Sequence, residues 1–217
     1  MGYRNLQECV ADLERAGRLV RIAQELDPRL EIGAVQRRVY RAGGPALLFT
    51  NARGSRFPML GNLFGTLERT RWLFRDALRG VETLVRAKVD PRELLKNPSA
   101  LLQAPLAAKN LLPKRVRTGP IAHARCALSE LPQLVSWPGD GGAFITLPQV
   151  YSEDPHLPGL RHSNLGMYRV QISGNDYGPG EAGMHYQIHR ASLFIIALPL
   201  NYSSRCGSMS LSAAPHP

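Results

Sequence analysis

Between Leu131 and Ser173 the apolar residues come in short runs, each closed by proline or glycine: LPQLVSWPGDGGAFITLPQVYSEDPHLPGLRHSNLGMYRVQIS. No run is long enough for an ordinary helix, and proline breaks a helix interior. A stretch punctuated this way builds short strands and tight turns. WPGDGG reads as a turn whose glycines supply positive φ where a side chain would clash. AFITLPQVY and MYRVQIS read as strands. In the second, Tyr168, Val170 and Ile172 share one face, and Met167, Arg169, Gln171 and Ser173 share the other. A loop, GNDYGPGEAG, leads to a return strand, MHYQIHR. There Tyr186 and Ile188 share a face, and His185, Gln187 and His189 the opposite one. The two strands are expected to pair as a long-looped hairpin. A register setting Arg169 opposite His189 would line one cavity with both polar faces.

The chain before this segment has a different rhythm. Leu6, Val10 and Leu13 recur at helical spacing, with Asn5 as a cap, Glu8 three residues on and Gly17 as a stop. RLVRI reads as a strand. RLEIGAVQRRVYRAG returns to helical spacing through Ile32, Val35 and Val39 and ends at Gly43-Gly44. ALLFTN and FPMLGNLFG read as two more strands. Residues 66–102 are mostly helical and arginine-rich, with breaks at Asp90-Pro91 and Asn97-Pro98. Trp72, Leu73, Phe74, Leu78 and Val81 form the expected core stripe there. An amphipathic surface helix accounts for the arginines, because no groove-reading motif accompanies them. The proline-punctuated connector APLAAKNLLPKRVRTGP places a domain boundary near Arg117. The fold class is therefore α+β: an N-terminal α/β domain over 1–117, then a β-rich domain from 118.

The 217 residues are 44% hydrophobic and 20% charged, which suits a soluble protein with a real core rather than a disordered one. The formal net charge of +10 favours anionic partners, or is simply a solvated basic surface. Cys9, Cys126 and Cys206 form no Cys-x-x-Cys pair, so neither a zinc ribbon nor a dithiol redox motif is supported. The first ten residues lack the apolar run of a signal peptide, and LFIIALPL is too short to span a bilayer. These features point to a cytoplasmic protein with no transmembrane segment.

Arginine presents a planar fork of donors suited to phosphate or carboxylate. A neutral histidine nitrogen and an asparagine oxygen can ligate a divalent cation. By ligand count, two histidines and an arginine do not make a metal site.

Taken together, RAGGPALLF, PMLGNLFGT, LPQLVSWPGDGGAFITLPQVYSEDP, NLGMYRVQISG and HYQIHR closely resemble the UbiD family of decarboxylases, which use prenylated flavin mononucleotide (prenylated FMN). The stretches run in family order from about Tyr3 to Arg190. The resemblance implies that Asn164 and His189 ligate a divalent manganese that holds the flavin phosphate. It implies that Met167, Tyr168 and Arg169 contact the flavin, with Arg169 the active-site arginine near the substrate carboxylate. His185, Tyr186, Gln187 and Arg190 fall in the second flavin-contacting segment. It further implies a split β-barrel over 118–190, incomplete here, and a small-molecule carboxylic acid substrate. A flavin prenyltransferase as cofactor supplier, homo-oligomers among full-length members and no nucleic-acid partner also follow. The reaction would be non-oxidative loss of CO₂ from an aromatic or α,β-unsaturated acid, with a link to ubiquinone or menaquinone precursors. The carbanion left by such a loss cannot delocalise into the ring or alkene, so a cofactor must accept the electrons.

The sequence departs from the family after Arg190. Residues 191–217 read ASLFIIALPLNYSSRCGSMSLSAAPHP, with Ala191 where a glycine is expected and no Asp or Glu after Glu181. The family's acidic metal ligand and its acid/base carboxylates lie further on. An out-of-frame tail and a new natural ending both fit; either predicts a chain without turnover. The alternatives are a non-catalytic flavin- or phosphate-binding module, and a basic nucleic-acid-binding protein using Arg69 to Arg92.

Overall fold

The computed structural model describes residues 2–90, 105, 125–154, 156–175, 177–178 and 180–185. The first half is a three-stranded sheet with helices packed on both of its faces. Helix α1 (Leu6–Arg15) starts where Asn5 accepts the Glu8 N–H at 2.9 Å, and ends at Gly17 with φ +65°. Its buried residues are Cys9 and Leu13, whereas Leu6 is 40% exposed. The expected stripe is thus rotated toward Cys9. Strand β1 (Leu19–Ile22) runs parallel to β2 (Ala46–Phe49), and α2 (Glu31–Arg41) crosses between them. Strand β3 (Met59–Gly61) returns antiparallel on β2. All four β2 residues are buried, as a central strand covered on both faces requires. Cys9, Leu13, Leu19, Ala46, Leu48 and Leu73 pack on one face. Ile32, Leu47, Phe49, Leu26 and Ala52 pack on the other.

The arginine-rich segment forms α3 (Leu67–Leu73) and α4 (Arg75–Val89), joined at Phe74, and stops at Asp90. Leu73 is buried, but Phe74 and Val81 are each 50% exposed, so the core stripe is narrower than the sequence suggests. Arg69 is only 4% exposed, with its donors on the carbonyls of Leu63, Gly44 and Asn62. Arg75 is tied to Asp12 at 2.7 Å. A nucleic-acid surface beginning at Arg69 is corrected accordingly: that side chain is inside the protein. Among the described residues no helix is long and apolar enough to cross a membrane.

The second half holds two small sheets. One has the order β4 (Phe144–Ile145), β7 (Arg169–Gln171), β8 (Gly183–His185); the other pairs β5 (Gln149–Glu153) with β6 (Ser163–Met167). Val135, Ala143, Val150, Val170 and Ile172 form its core. No closed barrel is present among the described residues. The boundary expected near Arg117 and the tail 191–217 lie outside the described residues.

Backbone joins the two halves. Arg29 pairs in parallel with Val135; the Leu30 N–H donates to the Val135 carbonyl at 2.8 Å, and the Val135 N–H donates to Pro28 at 3.2 Å. Leu30 sits at φ +72°, a costly conformation for a branched side chain that this double contact enforces. A cleft of about 540 Å³ opens beside the join, lined by Arg29, Arg53, Gln133, Gly142 and Ser173 among others. Arg53 there is committed to Glu25 and Asp27 at 3.0 and 3.3 Å. Among the described residues, none of the expected site residues lines this cleft.

Candidate active site

The strand expected over MYRVQIS is divided. Residues 163–167 pair with β5, residues 169–171 pair with β4 and β8, and Tyr168 alone lies between the two sheets. The pleat parity therefore does not carry through. Met167 is 58% exposed while Gln171 is fully buried, so they do not share the polar face that simple alternation suggests.

Asn164 lies in β6 opposite Ser152. It is half-buried, and its Nδ2 donates to the Tyr168 hydroxyl at 2.9 Å. Gly166 makes this contact possible. A Cβ there would sit 2.8 Å from Tyr168 Cε2, so only glycine lets the ring fold back along the strand. The same ring packs on the second-half core.

Arg169 opens β7. Its Nη2 lies 2.8 Å from Asp140 Oδ1, and its Cζ stands 3.6 Å from the centroid of the Phe144 ring, a cation–π contact. Asp140 comes from the WPGDGG turn, and its side chain is 8% exposed. Its Oδ2 accepts the N–H groups of Ser136 and Trp137 at 3.0 Å each. Burial works against the carboxylate, but Arg169 and the two N–H donors outweigh it and hold its pKa below the usual carboxylate range. The sequence marks WPGDGG as a turn and gives Asp140 no further role. Its one local signal is an aspartate three and four residues beyond N–H groups it can cap.

The hairpin register differs from the expected one. Arg169 stands opposite His185, Val170 opposite Met184 and Gln171 opposite Gly183. The loop closes at Gly183, where a Cβ would overlap the Tyr177 hydroxyl, and Gly174, Asn175 and Gly180 take positive φ on the way. This early closure advances the return strand by four residues relative to a pairing of Arg169 with His189. The structure thus brings Arg169 and the backbone of His185 together, with Asn164 reached through Tyr168. Tyr186, Gln187, His189 and Arg190 lie outside the described residues. Among the described residues no group of three or more His, Cys, Asp or Glu side chains could hold a metal ion.

Comparison with known proteins agrees with this architecture. Residues 10–88 match the 3-octaprenyl-4-hydroxybenzoate carboxy-lyase N-terminal domain, and residues 114–197 match the Rift-related domain of the same enzyme. The second match runs beyond Arg190, where the resemblance was expected to stop. A 4-hydroxybenzoate decarboxylase subunit from Chlamydia pneumoniae is 39% identical over 177 residues, covering 79% of this chain and 29% of that protein. The chain spans about a third of the length of the curated relatives it matches. Among solved structures, an evolved dimeric form of the UbiD-class enzyme HmfF from Pelotomaculum thermopropionicum, in complex with prFMN, gives a TM-score of 0.66 at 24% identity. That alignment covers 92% of this chain and 42% of the other. The closed form of Sedimentibacter hydroxybenzoicus vanillic acid decarboxylase gives a TM-score of 0.69 at 20% identity, covering 91% and 40%. These two share the fold. With both domain matches in family order across an α+β chain, the protein belongs to the UbiD carboxy-lyase family.

Proposed function

We propose that this chain forms the flavin- and carboxylate-binding part of a decarboxylase acting on an aromatic or α,β-unsaturated acid. The observation that carries this reading is the fixed guanidinium of Arg169, held by a buried carboxylate and an aromatic face directly after the NLGMY segment. One edge of the fork is occupied by Asp140, and the remaining N–H groups suit a carboxylate or phosphate in the same plane. Solved relatives in complex with prFMN and with FMN support a flavin as cofactor.

The donor chemistry fits that cofactor in kind. Asn164 and His189 are the proposed ligands of a divalent manganese holding its phosphate, as an amide oxygen and an imidazole allow. Met167, Tyr168, His185, Tyr186, Gln187 and Arg190 are the proposed flavin contacts. When bound, the prenylated flavin supplies an electron sink for the bond that releases CO₂. The chain's own task is to orient the acid. Arg169 holds the carboxylate, and exclusion of water favours its departure as neutral CO₂. The same proposal includes a split barrel from about residue 118, a divide near Arg117, and assembly into a homo-oligomer. It includes a flavin prenyltransferase as supplier, and a role in ubiquinone or menaquinone precursor synthesis in the cytoplasm.

The test is co-expression with a flavin prenyltransferase. The purified chain should carry flavin absorbance that R169A and N164A reduce, and CO₂ release from a panel of unsaturated acids is measured alongside. A colourless wild-type protein overturns the proposal. Retained flavin without CO₂ release agrees with a need for carboxylates beyond Glu181, and robust release shows them dispensable.

A further inference from the structure

The turn from Ser136 to Gly141 is gripped from two sides. On one side stands α2, where the Arg37 guanidinium donates to the Ser136 carbonyl and lies 4.2 Å from the centroid of the Trp137 ring. Gly33, one helical turn earlier, permits this approach, because a Cβ there would meet Ser136 Cα and O at 3.2 Å. On the other side stands Arg169, and Asp140 connects the two. One carboxylate oxygen takes the N–H groups of Ser136 and Trp137; the other takes Arg169. The anchor is therefore set by backbone before it meets the guanidinium. Such an anchor removes arginine's rotamer freedom in advance of ligand binding.

We propose that Asp140 is a positioning residue for Arg169, and that Arg37 sets the Asp140 turn from the N-terminal half. The ligand role of Arg169 rests on the decarboxylase reading above; the placement of its guanidinium does not. Arg37 and Arg169 belong to the two halves of the chain, so the proposal makes the first half part of the site without its touching a ligand.

The test uses the whole 217-residue chain labelled with ¹³C at arginine Cζ, the Arg169 signal being assigned by its loss in R169K. The Phe144 ring face at 3.6 Å shields that carbon, so the signal is expected upfield of exposed arginines. D140N should return it to the exposed position, D140E should keep it largely in place, and R37M should move it partway while the protein stays folded. D140S retains an acceptor for the turn N–H groups and stands in if D140N does not fold. An unmoved signal in D140N or D140S overturns the role of Asp140, and an unmoved signal in R37M overturns that of Arg37. A second arm titrates FMN by fluorescence: D140N should weaken binding about tenfold and D140E less. If the wild-type chain binds no FMN, the decarboxylase reading fails while the Cζ signal still decides this inference.

Discussion

Arg69 Nη1 donates to the Gly44 carbonyl at 2.9 Å, joining α3 to a loop 25 residues upstream from a position sealed from water. The same guanidinium serves Leu63 at 2.9 Å and Asn62 at 2.5 Å, and burial pushes its pKa down. Beside it, Asn62 donates to the carbonyls of Gly44 and Pro45. Arg69→Met keeps the volume but removes the guanidinium donors from the Leu63 and Asn62 carbonyls, while Gly44 keeps its bond from Asn62. The expected loss is about 3 kcal/mol in urea unfolding, the range for stripping partners from buried polar groups. A change below about 0.5 kcal/mol, the scatter of ordinary surface substitutions, would show that the carbonyls find water instead.

Asp12 gives the fold an acid sensitivity of defined sign. Tyr3 Oη and Arg75 Nη2 both donate to its Oδ2 at 2.7 Å, tying the N-terminus and α4 to α1. The Tyr3 hydroxyl, then Arg75, hold its carboxyl below the usual range. A carboxyl with a depressed folded-state pKa stabilises above its unfolded value, near 3.9, and loses that contribution as pH falls through the folded value. Asp12→Asn should cost about 1 kcal/mol at neutral pH, the scale of a hydrogen bond within a partly exposed ion pair. Urea midpoints for the two proteins should converge between about pH 4 and pH 2. A constant gap across that window would remove Asp12 as the cause.

The cysteines should divide by accessibility. Cys9 is buried in α1, and desolvation, with Asp12 adding to it, pushes its thiol up to about 11. Cys126 is exposed. Iodoacetamide at neutral pH with peptide-level mass spectrometry should label Cys126 in the native protein, and Cys9 only in denaturant. Native labelling of Cys9 would mean that α1 opens readily.

Gly142 tests the packing of the Asp140 turn on the β7 exit. A Cβ there would overlap the Ser173 carbonyl oxygen, a backbone atom that cannot swing away. Gly142→Ala should destabilise by about 3 kcal/mol, the upper range for overpacking. Gly139→Ala, in the same turn but in open space, should stay within about 0.5 kcal/mol. Equal effects at both positions would attribute the loss to backbone entropy rather than contact.

The helix ends and the central strands were legible because their determinants are local. Asn5 caps α1 from three residues away, and ALLF needs only its own hydrophobicity to be recognised as interior. What escaped depends on partners distant in sequence. Asp140 looks like a turn residue until Arg169, a neighbour only in space, is beside it. Arg69 counts as surface charge until three carbonyls close around it. The β7–β8 register follows from how the loop folds before Gly183, and pleat alternation alone carries no information on that. The transfer at Tyr168 likewise breaks a strand that, as a string of letters, alternates without interruption.

The backbone seam at Pro28, Leu30 and Val135 has a consequence for how the chain can be cut. A fragment beginning after the connector would keep most of the residues that match the family's second domain, yet would present a bare amide and carbonyl where its neighbour once stood. Shuffling between relatives should therefore respect this stitch rather than the linker: the halves are separable in sequence but share hydrogen bonds that neither owns alone.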